Sequence, residues 1–141
     1  MKKVFLITVI ILCVAINAGA VDNWKETDQV TIAWDAVVQL ENGDPIPSDN
    51  TIKYKIYLVN AIADVEKANP VLITETDQTS QVITMTTEGK YFVGVSTVRY
   101  DSTGELINES AVNWSDVNGE ATPVPFGLMH YFQAKAPINL R

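Results

Sequence analysis

Short segments in which apolar and polar residues alternate, separated by clusters of turn-forming residues, dominate the sequence from Val30 onward. Successive side chains of a β-strand point to opposite faces, so a period of two is the pattern of a strand with one buried face. Segments 30–34 and 52–58 show this pattern most clearly, and lysines occupy the opposite face of the second. Their inward residues are Val30, Ile32, Trp34, Ile52, Tyr54, Ile56 and Leu58.

Four further segments have the length and composition of strands: 71–76, 81–86, 90–100 and 105–114. Many short strands separated by turns are typical of a sandwich or barrel. We therefore predict an all-β protein in which residues 21–116 form one antiparallel β-sandwich. Segment 61–68 has a helix-like composition, but Pro70 ends it, and we expect a turn-like insert there. The predicted core residues are Val30, Ile32, Trp34, Tyr54, Ile56, Met85, Tyr91, Val93 and Val95.

Two long loops connect the predicted strands. Residues 41–50 contain two prolines and an Asn-Gly pair, which prevent continuous ladder pairing, and residues 60–70 form the second loop. Loops on a rigid sandwich commonly carry recognition, so both loops are candidate interaction sites, with Asp44 and Ile46 in the first. Acidic residues of the first loop could offer oxygen ligands to calcium, but their spacing does not match an EF-hand. We expect solvated acids and no metal site there.

The order of residues from about 30 to 116 resembles that of a fibronectin type III domain. The resemblance is carried by Trp34 at the core tryptophan position, by Tyr54 and Ile56 in the third strand, and by Met85 ahead of Tyr91 in the sixth. It implies an immunoglobulin-like antiparallel β-sandwich. It also implies a tyrosine corner at Tyr91, whose hydroxyl would bond to a backbone group at the turn.

The chain departs from the family pattern at its first strand. Residues 21–28 are polar and lack the proline-led strand that precedes the tryptophan strand, whereas residues 135–141, Lys-Ala-Pro-Ile-Asn-Leu-Arg, are similar to such a strand. One hypothesis is that this C-terminal segment pairs with the tryptophan strand, in its own molecule or in a neighbouring one, which would allow self-association. The alternative is that residues 117–141 are a linker tail without fixed structure.

An aromatic stretch, residues 126–132, lies outside the predicted sandwich strands. Apolar side chains with few charges are typical of interface cores, so this stretch is the first candidate interaction surface. The alternative is that it folds back as an additional strand. The single histidine, His130, lies within it, and we expect a structural role because no catalytic motif accompanies it. The candidate interaction residues are Phe126, Leu128, Met129, Tyr131 and Phe132.

The first twenty residues have the layout of a secretory signal peptide. Lys2 and Lys3 precede an almost wholly apolar stretch, residues 4–16, and Ala18-Gly19-Ala20 forms a cleavage site. This stretch is shorter than the roughly 20 residues that a membrane-spanning helix needs. We expect cleavage after Ala20, secretion or a periplasmic location, and no stable membrane anchor afterwards. A retained anchor is the main alternative, and the short basic start is typical of bacteria.

Charge and cysteine usage narrow the function further. Without Lys2 and Lys3 the chain has eight basic and seventeen acidic residues, a net charge of −9, which repels nucleic acid and anionic membranes. Cleavage also removes Cys13, the one cysteine. We predict a non-catalytic binding or assembly module without cofactor, whose partner is a protein or carbohydrate. The alternatives are a structural component of a cell-surface or phage-like assembly, or a small hydrolase acting on polysaccharide or peptide.

Overall fold

The computed structural model describes residues 21–117 and 124–136, and it folds them into nine strands without a helix. The predicted signal peptide, 1–20, and most of the predicted C-terminal strand, 137–141, lie outside the described residues. The strands are β1 (Trp24–Glu26), β2 (Gln29–Ala33), β3 (Thr51–Asn60), β4 (Val71–Thr76), β5 (Ser80–Thr84), β6 (Gly89–Tyr100), β7 (Leu106–Glu109), β8 (Asn113–Trp114) and β9 (Gly127–His130).

The protein is all-β, as predicted, with its strands arranged in two sheets. The small sheet is the antiparallel pair β2–β5, and the large sheet has the order β1-β9-β6-β3-β4, with β7 and β8 also paired to β6. Every pairing is antiparallel except β1–β9, which is parallel. The large sheet is organised by β6, because β3 follows one of its edges while β7, β8 and β9 follow the other.

The hydrophobic core lies between the two sheets. Ile32 and Ile83 enter it from the small sheet, and Ile56, Val93 and Leu128 enter it from the large sheet. The period of two along β3 and β6 sends alternate residues to this interior. All nine predicted core residues belong to the cluster or pack against it, together with Ile52, Leu58, Ile83, Phe126 and Leu128.

The largest interruption in the edge that β7, β8 and β9 form along β6 lies between β8 and β9. Trp114 pairs with Gly94, and Leu128 pairs with Tyr91. Between these two pairs β6 advances by three residues, whereas the segment from β8 to β9 advances by fourteen. This segment therefore has eleven residues more than β6 at this point. The Phe126 amide donates to the Ser115 carbonyl at 2.7 Å, so the chain returns to the place from which it left.

Residues 21–28 contain a strand that was not predicted, β1, because β9 offers its backbone groups to this short polar segment. This strand pairs with β9 and not with β2, so the proline-led strand beside the tryptophan strand is still missing from residues 21–28. Segment 61–68 forms turns, as expected: the Asn60 side chain accepts from the amides of Ile62 and Ala63. No helix in the described part of the chain has the length and hydropathy that crossing a membrane requires.

Candidate binding groove

A groove of about 720 Å³ opens between the two sheets on the side where β2 faces β8. The inner faces of β3 and β6 form its floor, and its lining combines apolar side chains with polar and charged ones. Its volume lies within the range that is usual for ligand-binding sites. The lining residues are Lys25, Thr31, Ile32, Ala33, Trp34, Asp35, Val37, Tyr54, Val93, Val95, Thr97, Asn113, Ser115, Val124 and Phe126.

One wall of the groove is the unpaired edge of β2. The Trp34 amide donates to Thr79, and the Asp28 carbonyl accepts from Met85, so even-numbered residues of β2 direct their backbone groups towards β5. In an antiparallel pair the neighbouring residues direct theirs the opposite way. The backbone groups of Thr31 and Ala33 therefore point away from β5, and no described strand pairs with that side. This edge can accept a further strand.

Two aromatic residues define the depth of the groove. The rings of Trp34 and Tyr54 meet edge to face, with centroids 5.4 Å apart, and the Tyr54 hydroxyl accepts from the Val37 amide at 3.0 Å. Trp34 Nε1 is buried, yet no described residue accepts its hydrogen. A buried donor without an acceptor is unfavourable by roughly 1–3 kcal/mol.

The structure separates the candidate interaction residues 126–132. Leu128 is fully buried in the core, so its assignment to an exposed surface is wrong: this stretch folds back as β9, the alternative considered above. Phe126 packs partly against the core and lines the groove, and Met129 is half-buried. Tyr131 and Phe132 remain exposed after the strand ends.

His130 is buried at the end of β9, with 3% of its surface exposed. Its Nδ1 lies 3.1 Å from Asp28 Oδ1, although the alignment is not that of a hydrogen bond, and its ring meets Phe132 edge to face. The Phe132 amide donates to Glu88 Oε1 at 2.6 Å. These contacts hold the chain after β9 next to Asp28, immediately before β2.

The first candidate loop, residues 41–50, lies away from the groove. Asp44 is exposed and bonded within the loop, where Asn42 Nδ2 donates to its Oδ2 at 2.6 Å, and Ile46 is half-buried. A separate depression of about 400 Å³ lies between this loop and the β6–β7 edge, lined by Leu40, Glu41, Asn42, Arg99 and Asn108. The structure therefore does not bring Asp44 or Ile46 together with the aromatic stretch.

The second candidate loop, residues 60–70, covers an aromatic row on the outer face of the large sheet. Lys67 Nζ forms an ion pair with Asp116 at 2.8 Å and lies 5.5 Å from the ring centroid of Phe92 and 5.8 Å from that of Trp114. Phe92 in turn stacks on Trp24, with centroids 5.5 Å apart. The loop thus packs onto the sheet, which favours a structural role for it.

A charged network occupies the same outer face near β7. Glu109 accepts hydrogen bonds from Lys55 Nζ at 2.6 Å, Tyr57 Oη at 2.7 Å and Ser96 Oγ at 2.6 Å. Burial alone would raise the pKa of Glu109, but the bonds from these three donors and the charge of Lys55 outweigh it and hold the pKa at about 2. Because the carboxylate already accepts hydrogen bonds from three neighbours, a structural role is favoured for Glu109.

Sequence reasoning missed the groove and the outer aromatic row. A signal for the row exists at Gly94, since a glycine inside a strand often marks a close approach of another group. Within the described ranges, no three His, Cys, Asp or Glu side chains cluster closely enough to hold a metal ion. Comparisons with protein-family models, curated proteins and solved structures found no match to this chain.

Proposed function

We propose that this protein is an exported, non-catalytic binding and assembly module, and that its groove receives an extended polypeptide strand along the free edge of β2. The observation that carries the proposal is that this edge forms one wall of the groove. Main-chain hydrogen bonds along the edge would provide affinity, and the groove would select alternate side chains of the partner. A secreted or periplasmic location follows from the signal-like residues 1–20.

The composition of the groove supports a polypeptide as the ligand. Its walls include the apolar side chain of Ile32 and, along the free edge of β2, the backbone groups of Thr31 and Ala33. A β-strand presents side chains and backbone groups with this same alternation. A sugar ring would leave the backbone groups of the β2 edge without a matching row of partners, so protein is the proposed partner class.

Kinship with fibronectin type III domains is the finer proposal about the fold. Two observations support it: β2 and β5 lie in one sheet while β3, β4 and β6 lie in the other, and the Tyr91 hydroxyl contacts backbone carbonyls. This hydroxyl lies 3.2 Å from the carbonyl oxygens of both Thr87 and Glu88, the arrangement that a tyrosine corner requires. In such a domain a further strand lies beside β2, and the groove leaves room for that strand.

Peptide binding to a chain of residues 21–132 tests the proposed function, because this chain contains every described strand and lacks the segment that resembles a strand. A display library of extended nonapeptides with alternating apolar residues is the probe. We expect selected peptides to bind this chain and to lose at least tenfold in affinity against its Thr31→Pro variant, which lacks one backbone donor at the free edge. If no peptide distinguishes the two chains, the proposed function is wrong.

A further inference from the structure

We infer that the strand received by the groove is residues 133–141 of a second copy of this chain, so that copies join head to tail. The inference rests on the proposed function and names the partner of the same groove. It makes one chain both donor and acceptor. Four observations lead to it: the pattern of this segment, the chemistry of the groove, the position of the segment's origin and the direction of the small sheet.

The sequence of residues 133–141 alternates without exception. Polar residues or proline occupy its odd-numbered positions, and apolar residues occupy its even-numbered ones. A period of two throughout nine residues is the pattern of a strand with one buried face. The described part of the segment, residues 133–136, is exposed and outside any strand. The apolar residues are Ala134, Ala136, Ile138 and Leu140.

The groove fits a strand of this kind. Its apolar floor can take the side chains of Ile138 and Leu140, and the small Ala134 and Ala136 allow close approach to the β2 wall. Pro137 has an odd position, so its ring would point away from the groove, and an edge strand tolerates proline. Lys135 and Arg141 share the outward face with Pro137 and bring positive charge to a chain whose acids outnumber its bases.

The position of Phe132 explains why a second copy is favoured over the same copy. The bond from Phe132 to Glu88 and the contact of His130 with Asp28 hold the origin of the segment at the start of β2. From there the segment could follow its own β2 only in the same direction, as a parallel partner. The small sheet is antiparallel, and antiparallel pairing is slightly more stable for each residue. The segment of another copy can enter from the opposite end and pair in that way.

The resulting contact joins two different surfaces, a segment on one copy and a groove on the next. Such heterologous contacts build rings when the rotation closes and open chains when it does not. A copy that lacks only the segment can still accept the segment of another copy in its groove. A copy with a blocked groove can still donate its own segment. Mixing the two kinds must therefore yield pairs and nothing larger.

Light scattering on chains of residues 21–141 tests the inference. We expect oligomers whose mass rises with concentration. The double variant Ile138→Asp, Leu140→Asp, which cannot donate its segment, should be monomeric. Thr31→Pro, whose groove cannot accept a segment, should also be monomeric. A mixture of these two variants should give one-to-one pairs. Asn139→Asp is the control, since it adds a negative charge on the opposite face and should leave the oligomers intact. Val37→Lys, which places a charge in the groove, replaces Thr31→Pro if that variant does not fold.

Two results would overturn the inference. One is a parent chain that stays monomeric at every concentration; if its melting temperature also falls when residues 133–141 are removed, the segment lies on its own β2. The other is failure of a synthetic 133–141 peptide to bind the 21–132 chain in calorimetry. If library peptides bind that chain while this peptide does not, the proposed function stands and only the identity of the donor is wrong.

Discussion

The indole ring of Trp114 lies directly over Gly94, so that a Cβ atom at position 94 would come within 2.7 Å of Trp114 Cε3. The two residues are paired across β6 and β8, on the outer face of the large sheet. The glycine thus provides the space in which the ring contacts the sheet. Gly127 and Trp24 repeat the relationship between β9 and β1, where the ring again occupies the place of a Cβ atom.

Gly94→Ala is expected to destabilise the protein by about 1–3 kcal/mol, because the added methyl group overlaps the ring and the Val112 side chain. Urea denaturation measures the change. Gly104→Asn serves as the control, since position 104 is open and asparagine tolerates its positive φ. In a Trp114→Ala background the cost of Gly94→Ala should shrink, and an unchanged cost would contradict the overlap as its cause.

Glu109→Gln is expected to lower the free energy of unfolding by about 2 kcal/mol at pH 7, since it weakens hydrogen bonds made to a charged acceptor. The folded pKa of about 2 lies below the ordinary 4.5. The contribution is therefore complete above about pH 4.5 and is lost as the pH falls towards 2. Denaturation at several pH values should show the parent and the variant converging within this window.

The exposed Glu66 provides the control for this prediction. Glu66→Gln should change stability by less than about 0.5 kcal/mol at every pH, as is usual for surface substitutions. A constant difference between the parent and Glu109→Gln from pH 7 to pH 2 would show that the carboxylate is not the titrating group.

Tyr91→Phe removes the hydroxyl that lies 3.2 Å from the carbonyl oxygens of Thr87 and Glu88. We expect a loss of about 1 kcal/mol, the usual net value of one hydrogen bond, measured as a lower denaturation midpoint with an unchanged slope. Tyr131→Phe is the matched control because Tyr131 is exposed. Equal effects of the two substitutions would contradict a specific role for the Tyr91 hydroxyl.

Leu128→Ala tests whether the stretch 126–132 belongs to the fold. The side chain is fully buried, so its truncation should cost roughly 2–5 kcal/mol from lost burial and the resulting cavity. Phe132→Ala, at a side chain that is 65% exposed, should cost less than about 1 kcal/mol. Comparable losses at the two positions would mean that β9 does not pack as described.

The strands with a clear period of two could be predicted from the sequence. The inward residues of β3 and β6 follow from alternation alone, and the predicted segment 71–76 coincides with β4. β1 could not be predicted in this way, because Trp24-Lys25-Glu26 is short and polar and becomes a strand only beside β9, about a hundred residues later. Local propensity contains no information about such a partner.

The site was less accessible to sequence reasoning than the fold. The groove depends on which side of β2 remains unpaired, and this follows from register and hydrogen bonding between distant strands. Leu128 illustrates the same difficulty: its apolar neighbours fit an exposed interface and a buried edge strand equally well. Only its pairing with Tyr91 distinguishes the two.

The interruption in the ladder beside β6 has a consequence for engineering. Because Trp114 and Leu128 are each fixed to β6, the connection between them can change in length without altering the register on either side. Doubling the length of a loop costs only about 0.6 kcal/mol in closure entropy. This is therefore the place at which an epitope tag or a small fluorescent reporter could be inserted while both halves of the edge keep their partners.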